Sequence, residues 1–196
     1  MSAGGLRASA VLSDDGLYRY ELTRTWSSAP SVSFVMLNPS TADASLDDPT
    51  IRRCIGFARS WGHGGIRVVN LYALRSTDPK ALWGAPDPVG PDNDEYLRRA
   101  AVSGGPLIAA WGGHARADRV AAVLALPGLE ALQALGVTKA GQPRHPLYLR
   151  GDAAPSPWPT VGGPDDGDLR RDEGSIQRTD RVRAAGTEAL NLLARH

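Results

Sequence analysis

Three short segments place hydrogen-bonding side chains at the ends of apolar runs, Asn38-Pro39-Ser40-Thr41, Asn70 with the following Leu71 to Thr77, and Trp111-Gly112-Gly113-His114, and a fourth, His145-Pro146, starts the last segment. An amide offers a donor and an acceptor side by side, a pattern suited to the edge of a planar heterocycle. An imidazole N–H can face negative charge that develops on an oxygen. Arg75, with Ser76 and Thr77 beside it, offers phosphate-binding groups. Each segment also has an ordinary structural reading. Asn-Pro starts turns, an Asn at a strand end satisfies nearby backbone groups, Gly-Gly is a turn, and a lone His is usually structural. A further cluster, Asp47-Asp48-Pro49-Thr50-Ile51-Arg52-Arg53, is dense in charge. It reads first as a helix start, in which an Asp accepts the leading N–H bonds and suits the helix dipole.

These residues need elements to position them. Tyr18 to Trp26 alternates apolar and polar residues, as a strand with one wet face does. Val32 to Leu37, Ile66 to Leu71 and Pro106 to Trp111 are near-continuous apolar runs, the pattern of buried strands. Pro49 suits a first helical turn, and Ile51, Cys54, Ile55 and Ala58 follow at helical spacing. Further helices are expected at Asp92 to Val102 and Ala115 to Ala125, with a short one at Leu129 to Leu135 and a short final strand at Pro146 to Leu149. Alternating strands and helices predict an α/β layer fold with a mainly parallel sheet. In such sheets function gathers beyond the carboxyl ends of the strands, where three of the polar segments fall, and His145-Pro146 at the start of the last strand is expected to open onto the same edge. Trp61 and His63 precede a strand, at the opposite end, and read as packing and turn residues.

Composition narrows the classes. The chain has 196 residues with 22 Lys+Arg against 21 Asp+Glu, which excludes a basic tail protein and an acidic disordered one. Hydrophobic residues make up 42%, enough for a packed core. The single cysteine, Cys54, excludes a disulfide framework and a cysteine-ligated zinc or iron–sulfur site. No run approaches 18 apolar residues, and the first residues lack an apolar signal core. A cytoplasmic protein with no membrane partner, metal or cofactor is therefore expected. Residues 151–196 carry 6 Arg and 8 Asp/Glu and begin with a Pro/Gly-rich run. They read as an arm followed by a helix over Ser175 to Arg195, with Trp158 as a docking point. Oligomeric state is left open.

The segment LNPSTADASLDDPTIRRCIGFARSWGHGGIRVVNLYALRSTDP, followed by WG and then RHPLYL, resembles the domain-of-unknown-function family 1643 over about residues 10–150. More distantly, the order Asn-Pro, strand Asn, Trp-Gly and His-Pro is similar to the uracil-DNA glycosylase superfamily. That resemblance implies a three-layer α/β/α domain over residues 1–150 and hydrolysis of the N-glycosidic bond of a base in DNA or a nucleotide. Asn38 would position the attacking water, Asn70 would read the base edge, and His145 would donate a hydrogen bond to the departing base. Pro39, Ser40, Thr41, Arg75, Trp111 and Gly112 would complete the base or nucleotide site. The chain departs from the pattern at Ser40-Thr41, which follow Pro39 in place of Gly or Tyr, and at Leu147, where the superfamily has a phosphate-gripping Ser. Those departures, with Asn rather than Asp before Pro39, leave open the alternative of a non-catalytic module that binds a nucleotide or modified base.

Overall fold

The computed structural model describes residues 5–40 and 46–158, all within the compact unit Met1–Thr160. The expected helix over Ser175 to Arg195 and the candidate Thr41 lie outside these residues. The elements run β1 (Arg7–Leu12), β2 (Arg19–Thr25), β3 (Ser31–Met36), α1 (Pro49–Ser60), β4 (Gly65–Asn70), α2 (Asn93–Ala101), β5 (Leu107–Ala109), α3 (Ala117–Leu124), β6 (Gln133–Ala134) and β7 (Ser156–Pro157). Short 3-10 turns occupy Pro79–Gly84, Gly112–His114 and Pro146–Tyr148. The fold is α/β. One sheet has the order β1-β2-β4-β3-β5-β6-β7.

The apolar runs explain the sheet centre. β3, β4 and β5 are covered on both faces, so both alternating sets of side chains are mostly apolar. Val32, Phe34, Met36, Ile66, Val68 and Ile108 pack with Ile51, Cys54, Phe57 and Ala58 of α1. Val35, Val69 and Ala109 pack in a second cluster with Leu97 and Ala100 of α2 and Val120 and Val123 of α3. Each large apolar side chain buried this way contributes about 1.5–3 kcal/mol. α1 starts where the sequence indicates: Asp48 Oδ1 accepts from the Ile51 N–H at 2.8 Å, and Pro49 fills the first turn. The Cys54 thiol lies wholly inside this layer, and its burial pushes its pKa up.

The sheet is mixed rather than mainly parallel. β3 pairs in parallel with β4 and β5, and β5 with β6, but β1–β2, β2–β4 and β6–β7 are antiparallel. The physical reason is connection length. A short turn over residues 13–18, with Gly16 at φ +70°, can join β1 and β2 only as a hairpin, whereas a parallel pair needs a crossover. Two local expectations also change. Leu129 to Leu135 does not form a helix; its end is β6, which adds to the open side of β5. Pro146 to Leu149 is not a strand. Pro146 has no N–H for a ladder, and Pro146–Tyr148 forms a 3-10 turn. β1, β7 and the turn Pro79–Gly84 are additional to the expected elements. No helix among the described residues is long and apolar enough to cross a membrane.

Candidate functional site

Strand register brings the polar segments together. The parallel pairing of β3 with β4 sets Met36 beside Asn70, so the turn that begins at Asn38 emerges next to the end of β4. The Asn38 amide group is held there by two carbonyls: Nδ2 donates to Ser76 O at 2.8 Å and to Pro39 O at 3.0 Å. The Ser76 N–H in turn donates to Pro39 O at 2.9 Å. With its NH2 engaged, Asn38 has Oδ1 left as an acceptor.

Two adjoining cavities open at this edge. The smaller, about 150 Å³, includes Asn38, Ser40, Asp48, Asn70, Thr77 and His145 in its wall, together with Arg19 of β2. The larger, about 420 Å³, runs from Asn38 and His145 to the Trp111–His114 segment, Arg144 and Tyr148. Met36, Asn38 and His145 line both, so the candidate catalytic pair stands at their junction.

Asn70 is the most unusual residue here. It is 1% exposed, and neither Oδ1 nor Nδ2 has a hydrogen-bond partner. Such a group costs about 1–3 kcal/mol unless something else satisfies it. Its backbone carbonyl, by contrast, accepts from Asn93 Nδ2 at 3.0 Å.

His145 begins the 3-10 turn, and its Nδ1 accepts from the Leu147 N–H at 3.4 Å, which puts the ring proton on Nε2. Burial lowers its pKa below the ordinary 6.5, and the nearby Asp48 carboxylate opposes that shift in part. The imidazole is therefore neutral at pH 7, with one N–H to offer. Gly112 faces it. Its φ of +75° is a left-handed conformation that favours glycine, and a Cβ there would lie 3.6 Å from His145 Cβ.

The remaining candidates divide. Trp111 is 1% exposed, and its Nε1 donates to Gln142 Oε1 at 3.0 Å, so it forms a fixed wall of the larger cavity. Ser40 donates to Asp48 Oδ2 on the wall of the smaller one. Pro39 is buried and contributes its carbonyl to the Asn38 turn. Arg75 lines neither cavity; its guanidinium donates to Gly16 O at 3.0 Å. Asp48, read from sequence as a helix cap, is both a cap and a cavity wall. Asp47 is turned to Arg24, whose Nε donates to Asp47 Oδ1 at 2.8 Å. Trp61 stacks with Phe57 at 5.5 Å, and the His63 ring lies 3.2 Å from Pro30 O, away from both cavities. Sequence reasoning missed Arg19, Thr138 and Arg144. Arg144 had a visible signal, its place directly before His145-Pro146, while Thr138 had none.

No curated protein and no solved structure matches the chain. Residues 19–147, which hold every described candidate residue, match the family model "Protein of unknown function (DUF1643)". That stretch is well over half of the sequence, and the chain belongs to this family.

Proposed function

We propose that the paired cavities bind a nucleobase and hydrolyse its N-glycosidic bond, on a uracil-DNA-glycosylase-like variant of the α/β fold. The observation that carries this reading is the Asn70 amide, buried in a cavity wall with donor and acceptor both unpaired. A base edge with the complementary acceptor and donor would satisfy both atoms, which a single-function group would not. Asn38 Oδ1 accepts a hydrogen bond from the attacking water. The water oxygen bonds to the anomeric carbon as the C–N bond breaks, and its electron pair leaves with the base. Positive charge then develops on the sugar and negative charge on the base, as in glycoside hydrolysis. The neutral His145 donates from Nε2 to the departing base. The Asp48 carboxylate, on the wall of the smaller cavity, receives the water's proton. If the substrate is a polymer, the base leaves its stack to enter.

The test is base release from single- and double-stranded oligonucleotides bearing uracil, thymine mismatches, hypoxanthine and oxidised pyrimidines, and from free nucleosides and nucleotides. Asn38→Ala abolishes release with the fold intact. His145→Ala slows it by about 10²-fold, the usual cost of one such donor, and leaves binding in place. Full activity in both variants would remove this site from consideration. One observation favours a non-catalytic binding module: the residue before Pro39 is an amide, which cannot take a proton. Binding without release across the panel would establish that reading.

A further inference from the structure

The larger cavity differs in charge from the smaller one. Its wall contains Arg144, His114 and His145 and no carboxylate, whereas Asp48 belongs to the smaller cavity. Arg144 is exposed, and among the described residues its guanidinium has no hydrogen bond, ion pair or ring partner. Several other arginines of the domain are engaged: Arg24 with Asp47, Arg53 with Leu149 O, Arg75 with Gly16 O, and Arg119 with Asp94. The base of the Arg144 side chain is fixed all the same. Its N–H donates to Gly136 O at 2.8 Å, and its Cδ would lie 3.6 Å from a Cβ on Gly136. His114 is exposed on the same wall, after the Gly112 turn.

We infer that this cavity is an anion subsite in which Arg144 and His114 hold a phosphate group of the ligand whose base enters the smaller cavity. The inference deepens the base-binding reading of Asn70 and rests on it. A planar guanidinium binds phosphate oxygens in pairs, and these contacts are stronger than neutral hydrogen bonds. The two cavities share Asn38 and His145, so one ligand can span both. At about 420 Å³ the larger cavity is in the range of ordinary ligand sites and holds a sugar phosphate. This assigns the phosphate grip to Arg144, three residues before the position where Leu147 replaces the expected Ser. The substrate class becomes a nucleotide or nucleic-acid segment rather than a free base or nucleoside.

The first probe is inorganic phosphate, titrated into the full chain and followed by histidine ring NMR. The chain has four histidines, and His114→Gln identifies the His114 signal. The His114 signal shifts and saturates with phosphate, but not with chloride at matched ionic strength. Arg144→Gln weakens the response by about tenfold or more, and Arg144→Lys restores part of it. Asn70→Leu leaves it unchanged, which separates this subsite from the base reading. A second arm compares 2-deoxyribose 5-phosphate with a single-stranded oligonucleotide carrying an abasic analogue. Tighter binding of the first identifies a mononucleotide phosphate, and tighter binding of the second a polymer backbone. A response that does not saturate, matches chloride, or survives Arg144→Gln would overturn the inference. The base reading fails on a different readout: nucleotide or oligonucleotide binding that Asn70→Leu does not weaken.

Discussion

At Asn70, stability and the proposed base binding oppose each other. A buried amide with both polar atoms unpaired destabilises the folded chain, and an apolar group of the same shape does not. Asn70→Leu is therefore expected to raise the unfolding free energy by about 1 kcal/mol or more while base binding is lost. Denaturant melts and a binding titration on the same preparation check both halves. A loss of stability would mean that the amide has a structural partner. His145 gives a second expectation at this scale. Its folded pKa is below the unfolded value of 6.5, so as pH falls through that value the unfolded chain takes up a proton that the folded chain resists. Stability is thus unaffected by this group well above pH 6.5 and is lost as pH falls below it. His145→Gln removes that slope, which the difference between wild-type and variant melts across pH 5 to 8 would reveal.

At the scale of elements, α1 links folding to the site. Asp48 caps the helix through Oδ1, and its Oδ2 accepts from Ser40 at the wall of the smaller cavity. Two substitutions separate these roles. Asp48→Ala loses the cap and costs about 1 kcal/mol. Asp48→Asn keeps an equally good capping residue, so its melt stays near that of the wild type. Its base release is nevertheless expected to fall by about 10²-fold, because an amide cannot accept the water's proton. Equal activity in Asp48→Asn and wild type would leave Asp48 as a cap alone. The cap was legible in the sequence because Asp-Asp-Pro before Ile51, Cys54 and Ile55 is a local signal. Its second role was not, because Ser40 reaches Asp48 only once β3 and α1 have packed.

At the scale of the whole molecule, the β6–β7 edge of the sheet supports the larger cavity. Trp158 is 5% exposed; its N–H donates to Leu132 O and its Nε1 to Gly141 O, both at 3.0 Å. Its ring meets Trp111 edge to face at 5.1 Å, and Trp111 lines the cavity. Trp158→Ala is expected to cost about 3–5 kcal/mol and to loosen the cavity wall through Trp111. Thermal unfolding and the phosphate titration report on the two effects separately. A small stability loss would show that the strand pair β6–β7 tolerates the missing ring.

Local chemistry accounts for much of this protein. The apolar runs at Val32, Ile66 and Leu107 specify buried strands because burial on both faces favours apolar side chains at most positions, with Ser33 and Asn70 as buried polar exceptions. The Asp48-Pro49 start of α1 and the Asn-Pro and His-Pro turns are also written locally, since backbone limits and short-range hydrogen bonds set them. Contacts between distant segments decide the rest. β6 is a strand because β5 offers it an open edge, although Leu129, Leu132 and Leu135 also suit a helix. Arg75 turns to Gly16 because the β1–β2 hairpin lies beside its loop, and Arg144 takes its place at the cavity instead. The unpaired state of Asn70 is visible only in three dimensions, because a polar atom is left without a partner by everything folded around it.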